Sequence, residues 1–147
     1  MPIPIRRVHW AALVASTALI TAPSLLAAQA SNPSAIIPEN ATSLQGQPTI
    51  RVETTKDGAE QRTLEGKEAA AERLEISIVN NRFYWTSRNN RPLMLSTDGE
   101  FTYLMSDKPG QYVRLRRLND RIAYVEHLDL GFANVTYWGE LRVVIGP

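Results

Sequence analysis

Leu74-Glu75-Ile76-Ser77-Ile78-Val79-Asn80-Asn81-Arg82-Phe83-Tyr84-Trp85 decides the fold class of this chain. Leu74, Ile76 and Ile78 fall at every second position, the period of a strand with one face turned to a core. Asn80-Asn81 then supplies two residues that tolerate a positive φ, and an aromatic run follows. Such a pattern predicts two antiparallel strands joined by a tight turn.

The same rhythm continues toward the carboxyl end. Asn89-Asn90, Asp98-Gly99, Pro109-Gly110, Asn119-Asp120, Gly131 and Gly139 punctuate runs of β-branched and aromatic residues. Strands are expected at 74–79, 82–87, 92–96, 100–105, 111–118, 121–129, 132–138 and 140–145. Links this short make successive strands antiparallel neighbours. The expected fold is all-β, a small antiparallel meander of six to eight strands. It closes as a barrel or stacks as a sandwich, since both use the same alternation and turns. Alternation assigns to the interior Leu74, Ile76, Ile78, Phe83 and Trp85, then Phe101, Tyr103 and Met105. Val113, Leu115, Ile122, Tyr124, Val135, Tyr137, Leu141, Val143 and Ile145 complete the set.

Upstream of Leu74, Glu65 to Arg73 is rich in Ala and Glu but short, which predicts a turn or two of surface helix. Thr49 to Thr54 alternates, Asp57-Gly58 is a turn pair, and Ala59 to Leu64 provides the return arm of a hairpin. Residues 31–48 hold Pro33, Pro38 and Pro48 among Ser, Asn, Gln and Gly, and read as a flexible linker. Residues 1–30 combine Arg6-Arg7, an apolar stretch from Val8 to Leu26, and Ala28-Gln29-Ala30, the three parts of a secretory signal peptide. Cleavage after Ala30 would place the protein in the periplasm or outside the cell, with no stable membrane insertion. Retention as an anchor is the competing reading, weakened by Pro23, Ser16, Thr17 and Thr21 in the apolar stretch. One β-domain over 49–147 remains.

At 44% hydrophobic, 21% charged and 7% aromatic, the 147-residue chain has the composition of an ordinary globular protein, which sets aside collagen-like, fully disordered and polytopic membrane classes. Loss of Arg6 and Arg7 with the signal leaves 14 basic against 15 acidic residues, a formal charge of −1. A near-neutral exported chain has no global electrostatic attraction for nucleic acid.

His127 is the one histidine beyond the signal, and the chain contains no cysteine. A cysteine nucleophile and a disulfide are impossible, zinc lacks its usual ligand set, and no cofactor is expected. Asp98, Glu100 and Asp107 lack calcium-loop spacing. In Glu126-His127-Leu128-Asp129, a strand places His127 and Asp129 on one face and Glu126 on the other, so His127 and Asp129 are the weak candidates for acid–base catalysis. Two of Glu100, Glu126 and Glu140 would serve a glycosidase, although spacing in sequence does not bring them together. No nucleophile-elbow motif accompanies the histidine.

Arg114, Arg116, Arg117 and Arg121 flank the Asn119-Asp120 turn and form the best candidate for an anion-binding surface, since arginine forks suit carboxylate and phosphate groups. The alternative is a solvated face that protects a sheet edge. Tyr112 and Trp138 extend the candidate site as aromatic contacts, with core packing as the competing use of such rings. The chemistry that remains predicts a non-enzymatic binding module at the cell envelope, with an envelope protein or an anionic glycan as partner. A small-ligand carrier with an aromatic-lined interior is the second reading, and a hydrolase using His127 and Asp129 the third.

Overall fold

The fold is described from a computed structural model over residues 36–146. The expected export signal at 1–30 lies outside the described residues. Nine strands form one antiparallel sheet: β1 (Ala41–Thr55), β2 (Gly58–Thr63), β3 (Leu74–Val79), β4 (Arg82–Trp85), β5 (Arg91–Asp98), β6 (Phe101–Ser106), β7 (Gln111–Leu118), β8 (Arg121–Asp129) and β9 (Ala133–Ile145). The meander from β3 to β9 is sealed by β1, which pairs with β9 along its length and with β3 through Ser43 to Gly46. Eight strands therefore close into a barrel, with β2 added beside the second half of β1. Of barrel and sandwich, the chain adopts the barrel. Among the described residues, a helix α1 (Gly66–Ala71) and a 3₁₀ turn (Thr86–Arg88) are the helical pieces.

Turn chemistry explains the links. Asn80, Asn81, Asn89, Asn90 and Asn119 all take positive φ, as do Gly99, Gly110 and Gly131. Asparagine and glycine carry the least steric cost in that region, and hairpins need it to follow the twist of their strands.

Leu44, Leu74, Ile76, Trp85, Leu104, Val113, Leu115 and Tyr124 are almost wholly buried and fill the interior, as the bore of an eight-stranded barrel allows. Ile36, Leu64 and Ala69 join this core from the connecting segments. Each such aliphatic or aromatic side chain contributes about 1.5–3 kcal/mol through burial.

Four expectations are corrected. β1 begins at Ala41, within the stretch expected to be a linker, because a strand there needs few apolar residues: Leu44 packs inward while Gly46 and Pro48 fit buried, close-packed positions. The register shift between Pro48 and Ile50 leaves room for a proline in the strand. β9 runs unbroken through Gly139, which is not a turn: a Cβ there would lie 2.1 Å from Gln47 O, so the glycine permits close approach of β1. Gly46 and Gly139 also accommodate the Tyr124 ring, which would meet a Cβ at either position within 3 Å. In β6 the inward residues are Thr102, Leu104 and Ser106, so Phe101, Tyr103 and Met105 lie outside. Ile145 is likewise exposed at the end of its strand.

Candidate binding surface on the outer face of the barrel

The outward register of β6 generates the surface. Phe101 pairs with Arg116, Tyr103 with Arg114, and Met105 with Tyr112 across β6 and β7. The next strand sets Ala123, Val125 and His127 opposite Arg116, Arg114 and Tyr112, and β9 sets Trp138 opposite Val125. Small side chains at Ala123 and Val125 therefore lie between a wall made by Phe101, Arg114 and Arg116 and a second wall at Trp138. An open groove of about 440 Å³ results.

Aromatic contact organises one wall. Ring centroids of Phe101 and Tyr103 are 6.4 Å apart, those of Tyr103 and Tyr112 6.2 Å, and Tyr112 stacks on His127 at 5.3 Å. The guanidinium carbons of Arg114 and Arg116 stand 5.0 and 5.5 Å from the same Phe101 centroid. At exposed sites each such contact is worth about 0.5–1 kcal/mol, and together they hold two like charges beside one ring. Arg116 also reaches Glu100 at 3.0 Å, whereas Arg114 has no ion pair among the described residues. An incoming anion would relieve repulsion between the two guanidiniums and accept from both.

The sequence-predicted residues divide accordingly. Arg114, Arg116 and Trp138 line one groove, and Tyr112 extends the aromatic wall beside it. Arg121 is tied to Glu140 at 2.6 Å near the end of that face. Arg117, which pairs with Ile122 and has the inward parity of Val113 and Leu115, lines a different groove together with Arg121, Ile36 and Asp120. The expected four-arginine cluster is therefore two clusters. Phe101 and Tyr103, assigned to the core from sequence, are the site residues that reading missed.

His127 and Asp129 share the outer face of β8 but engage separate partners. His127 Nδ1 lies 2.9 Å from Thr136 Oγ1, and Asp129 Oδ1 accepts a hydrogen bond from Gly131 N at 2.7 Å. Among the described residues no cluster of three or more His, Asp or Glu side chains could hold a metal ion.

A second polar constellation lies inside the barrel. Glu126 is fully buried and meets Arg88, whose Nη2 donates to Oε2 at 3.1 Å while Nε stands 3.0 Å from Oε1. Burial pushes the Glu126 carboxyl up to about 7, against the pull of Arg88 and of the Trp85 indole N–H. Trp85 Nε1, Arg88 Nε and Glu126 Oε1 nevertheless lack partners of full hydrogen-bond geometry, and Tyr124 Oη has none. Burial likewise pushes the Tyr124 hydroxyl upward, and nearby Tyr137 Oη donates to Glu72 Oε2 at 2.9 Å. Of the three glutamates weighed as a catalytic pair, Glu100 and Glu140 are each tied to a surface arginine and Glu126 to Arg88.

No protein-family model matches the chain, and no curated protein or solved structure matches it either.

Proposed function

We propose that this chain is a non-enzymatic binding module of the cell envelope, exported by residues 1–30, whose outer β6–β9 face captures an anionic glycan. The observation that carries this reading is the outward register of β6, which spends Phe101 and Tyr103 on the surface, with Arg114 and Arg116 over Phe101. Aromatic faces suit the apolar faces of sugar rings, and paired guanidiniums suit the carboxylates such rings carry. Among the described residues no helix is long and apolar enough to cross a membrane.

The reading as a carrier draws little support from an interior filled by Trp85, Tyr124 and Leu104. Nor does the hydrolase reading gain from His127 and Asp129, whose hydrogen bonds run to different partners.

Calorimetric titration with a polyuronate oligosaccharide and with a neutral oligosaccharide of equal length tests the proposal. Binding of the acidic ligand alone, lost in Arg114→Ala/Arg116→Ala with the melting temperature kept, is the expected result. Equal binding of both ligands, no binding of either, or full affinity in the double variant would overturn it.

A further inference from the structure

Barrel closure gives every strand except β2 a neighbour on both sides, although Met94 to Asp98 of β5 run past β4 and pair with β6 alone. Among the described residues β2 pairs with β1 alone, and all six of its residues are exposed. Leu64 N donates to Thr49 O at 2.8 Å, one step beyond the Ile50–Thr63 pair. Alternation along a strand then turns the backbone N–H and C=O groups of Glu60 and Arg62 toward β1, and those of Ala59, Gln61 and Thr63 toward the free edge. An edge of this kind is a template for another strand.

Charge order along β2 selects the partner. Within the hairpin like charges face each other, Glu53 opposite Glu60 and Arg51 opposite Arg62, an unfavourable cross-strand arrangement. Each strand compensates internally, through an Arg51–Glu53 pair and an Arg62–Glu60 pair, both at 2.6 Å. Hydrogen bonding to Arg62 holds the Glu60 carboxylate below its usual range. On the free side the order reverses. A second β2 laid antiparallel about Gln61 sets Glu60 opposite Arg62 of the other copy, and Arg62 opposite its Glu60. The same register makes Ala59, Gln61 and Thr63 the hydrogen-bonded positions, so the charged residues fall at the non-hydrogen-bonded pairs, where side chains approach most closely. Registers centred on Glu60 or on Arg62 set like charges opposite. Backbone parity and side-chain charge thus agree on one alignment.

We infer that the β2 edge is a self-association surface, and that its partner is a second copy of this chain paired antiparallel about Gln61. The interface is isologous, as a two-fold dimer requires, and joins the two barrels through one continuous strand ladder.

Sedimentation velocity on the protein expressed as the full chain and purified after export tests this, over about 1 µM to about 1 mM. The wild type is expected to pass from monomer to dimer across that range. Gln61→Pro removes an N–H that points away from β1, leaves the hairpin ladder intact, and is expected to stay monomeric with an unchanged far-UV spectrum. Glu60→Arg places Arg opposite Arg62 of the other copy and should raise the dissociation constant about tenfold or more. Glu60→Arg/Arg62→Glu restores the alternation and should restore the dimer. A wild type that remains monomeric throughout, a dimer indifferent to Gln61→Pro, or a charge swap that fails to rescue would each overturn the inference.

Discussion

Arg88 and Glu126 meet inside the barrel, 38 residues apart in the chain, with Arg88 Nη2 donating to Glu126 Oε2 at 3.1 Å. The carboxylate is fully buried and the guanidinium side chain is 20% exposed, so the pair is desolvated mainly on its acidic side. Removing a charge from water costs several kcal/mol, and one ion pair of imperfect geometry offsets only part of that cost. Burial consequently wins at Glu126, whose carboxyl is pushed up to about 7 from its ordinary 4.5.

A pH dependence of stability follows from this shift. Below about pH 4.5 folded and unfolded chains both hold the Glu126 proton. Between that value and about 7 the unfolded chain gives up its proton first, so the contribution of this group to stability falls as pH rises. Above 7 both states are ionised and the loss is complete, about 3 kcal/mol relative to acid. Glu126→Gln cannot titrate. Urea unfolding of both proteins from pH 4 to 8 should show the wild type losing stability relative to the variant as pH rises, whereas parallel profiles would contradict the assignment.

Arg88→Leu isolates the other partner. It leaves a buried carboxyl without its cation and should destabilise the barrel by about 3–5 kcal/mol at pH 8. The deficit should shrink on acidification, because the neutral acid no longer needs the guanidinium. A loss that stays constant between pH 5 and pH 8 would mean that Arg88 acts through packing alone.

The barrel's meander was legible because each turn is written in residues that tolerate positive φ, such as Asn80-Asn81 and Asn119. Parity within a strand was equally legible: Arg114 and Arg116 share the outer face, and Glu126 falls on the same face of β8 as Ile122 and Tyr124. What parity alone does not give is which face of Phe101-Thr102-Tyr103-Leu104-Met105-Ser106 turns inward, since larger apolar groups normally win the core. Here Trp85 and Tyr124 are already buried among the largest side chains of the interior, and β6 adds only Thr102, Leu104 and Ser106 to it. Volume summed over distant strands made that choice. The partner of Glu126 was hidden for a similar reason, because Arg88 enters from a 3₁₀ turn far away in sequence. Gly139 looked like a turn because its requirement, close approach of Gln47, belongs to another strand.

Gly139→Ala measures that close approach. The added methyl would sit 2.1 Å from the Gln47 carbonyl and 2.8 Å from the Tyr124 ring, and the carbonyl belongs to backbone that cannot turn aside. A loss of about 1–3 kcal/mol is expected, the usual result of overpacking, seen as a lower urea midpoint with the slope unchanged. Gly99→Ala makes a useful contrast, since a Cβ there meets nothing within 4 Å and any cost comes from its φ of 57°. A neutral Gly139→Ala would show that β1 and β9 can separate freely at this point.

Tyr103→Ala and Leu104→Ala, adjacent in β6, test the register on which the outer surface rests. Leu104 is wholly buried and pairs with Val113, so its truncation opens a cavity in the barrel and should cost about 2–5 kcal/mol. Tyr103 is only half-buried, and its ring meets Phe101 and Tyr112 on the outside, so its truncation forfeits surface contacts and should cost about 1 kcal/mol or less. The two variants should separate in the opposite sense for ligand capture, with Tyr103→Ala weakening retention of the acidic glycan and Leu104→Ala, measured below its melting temperature, retaining it. If Tyr103→Ala proved the more destabilising of the two, β6 would be turned the other way. The arginines would then stand without their aromatic wall, and the proposed site would lose its physical basis.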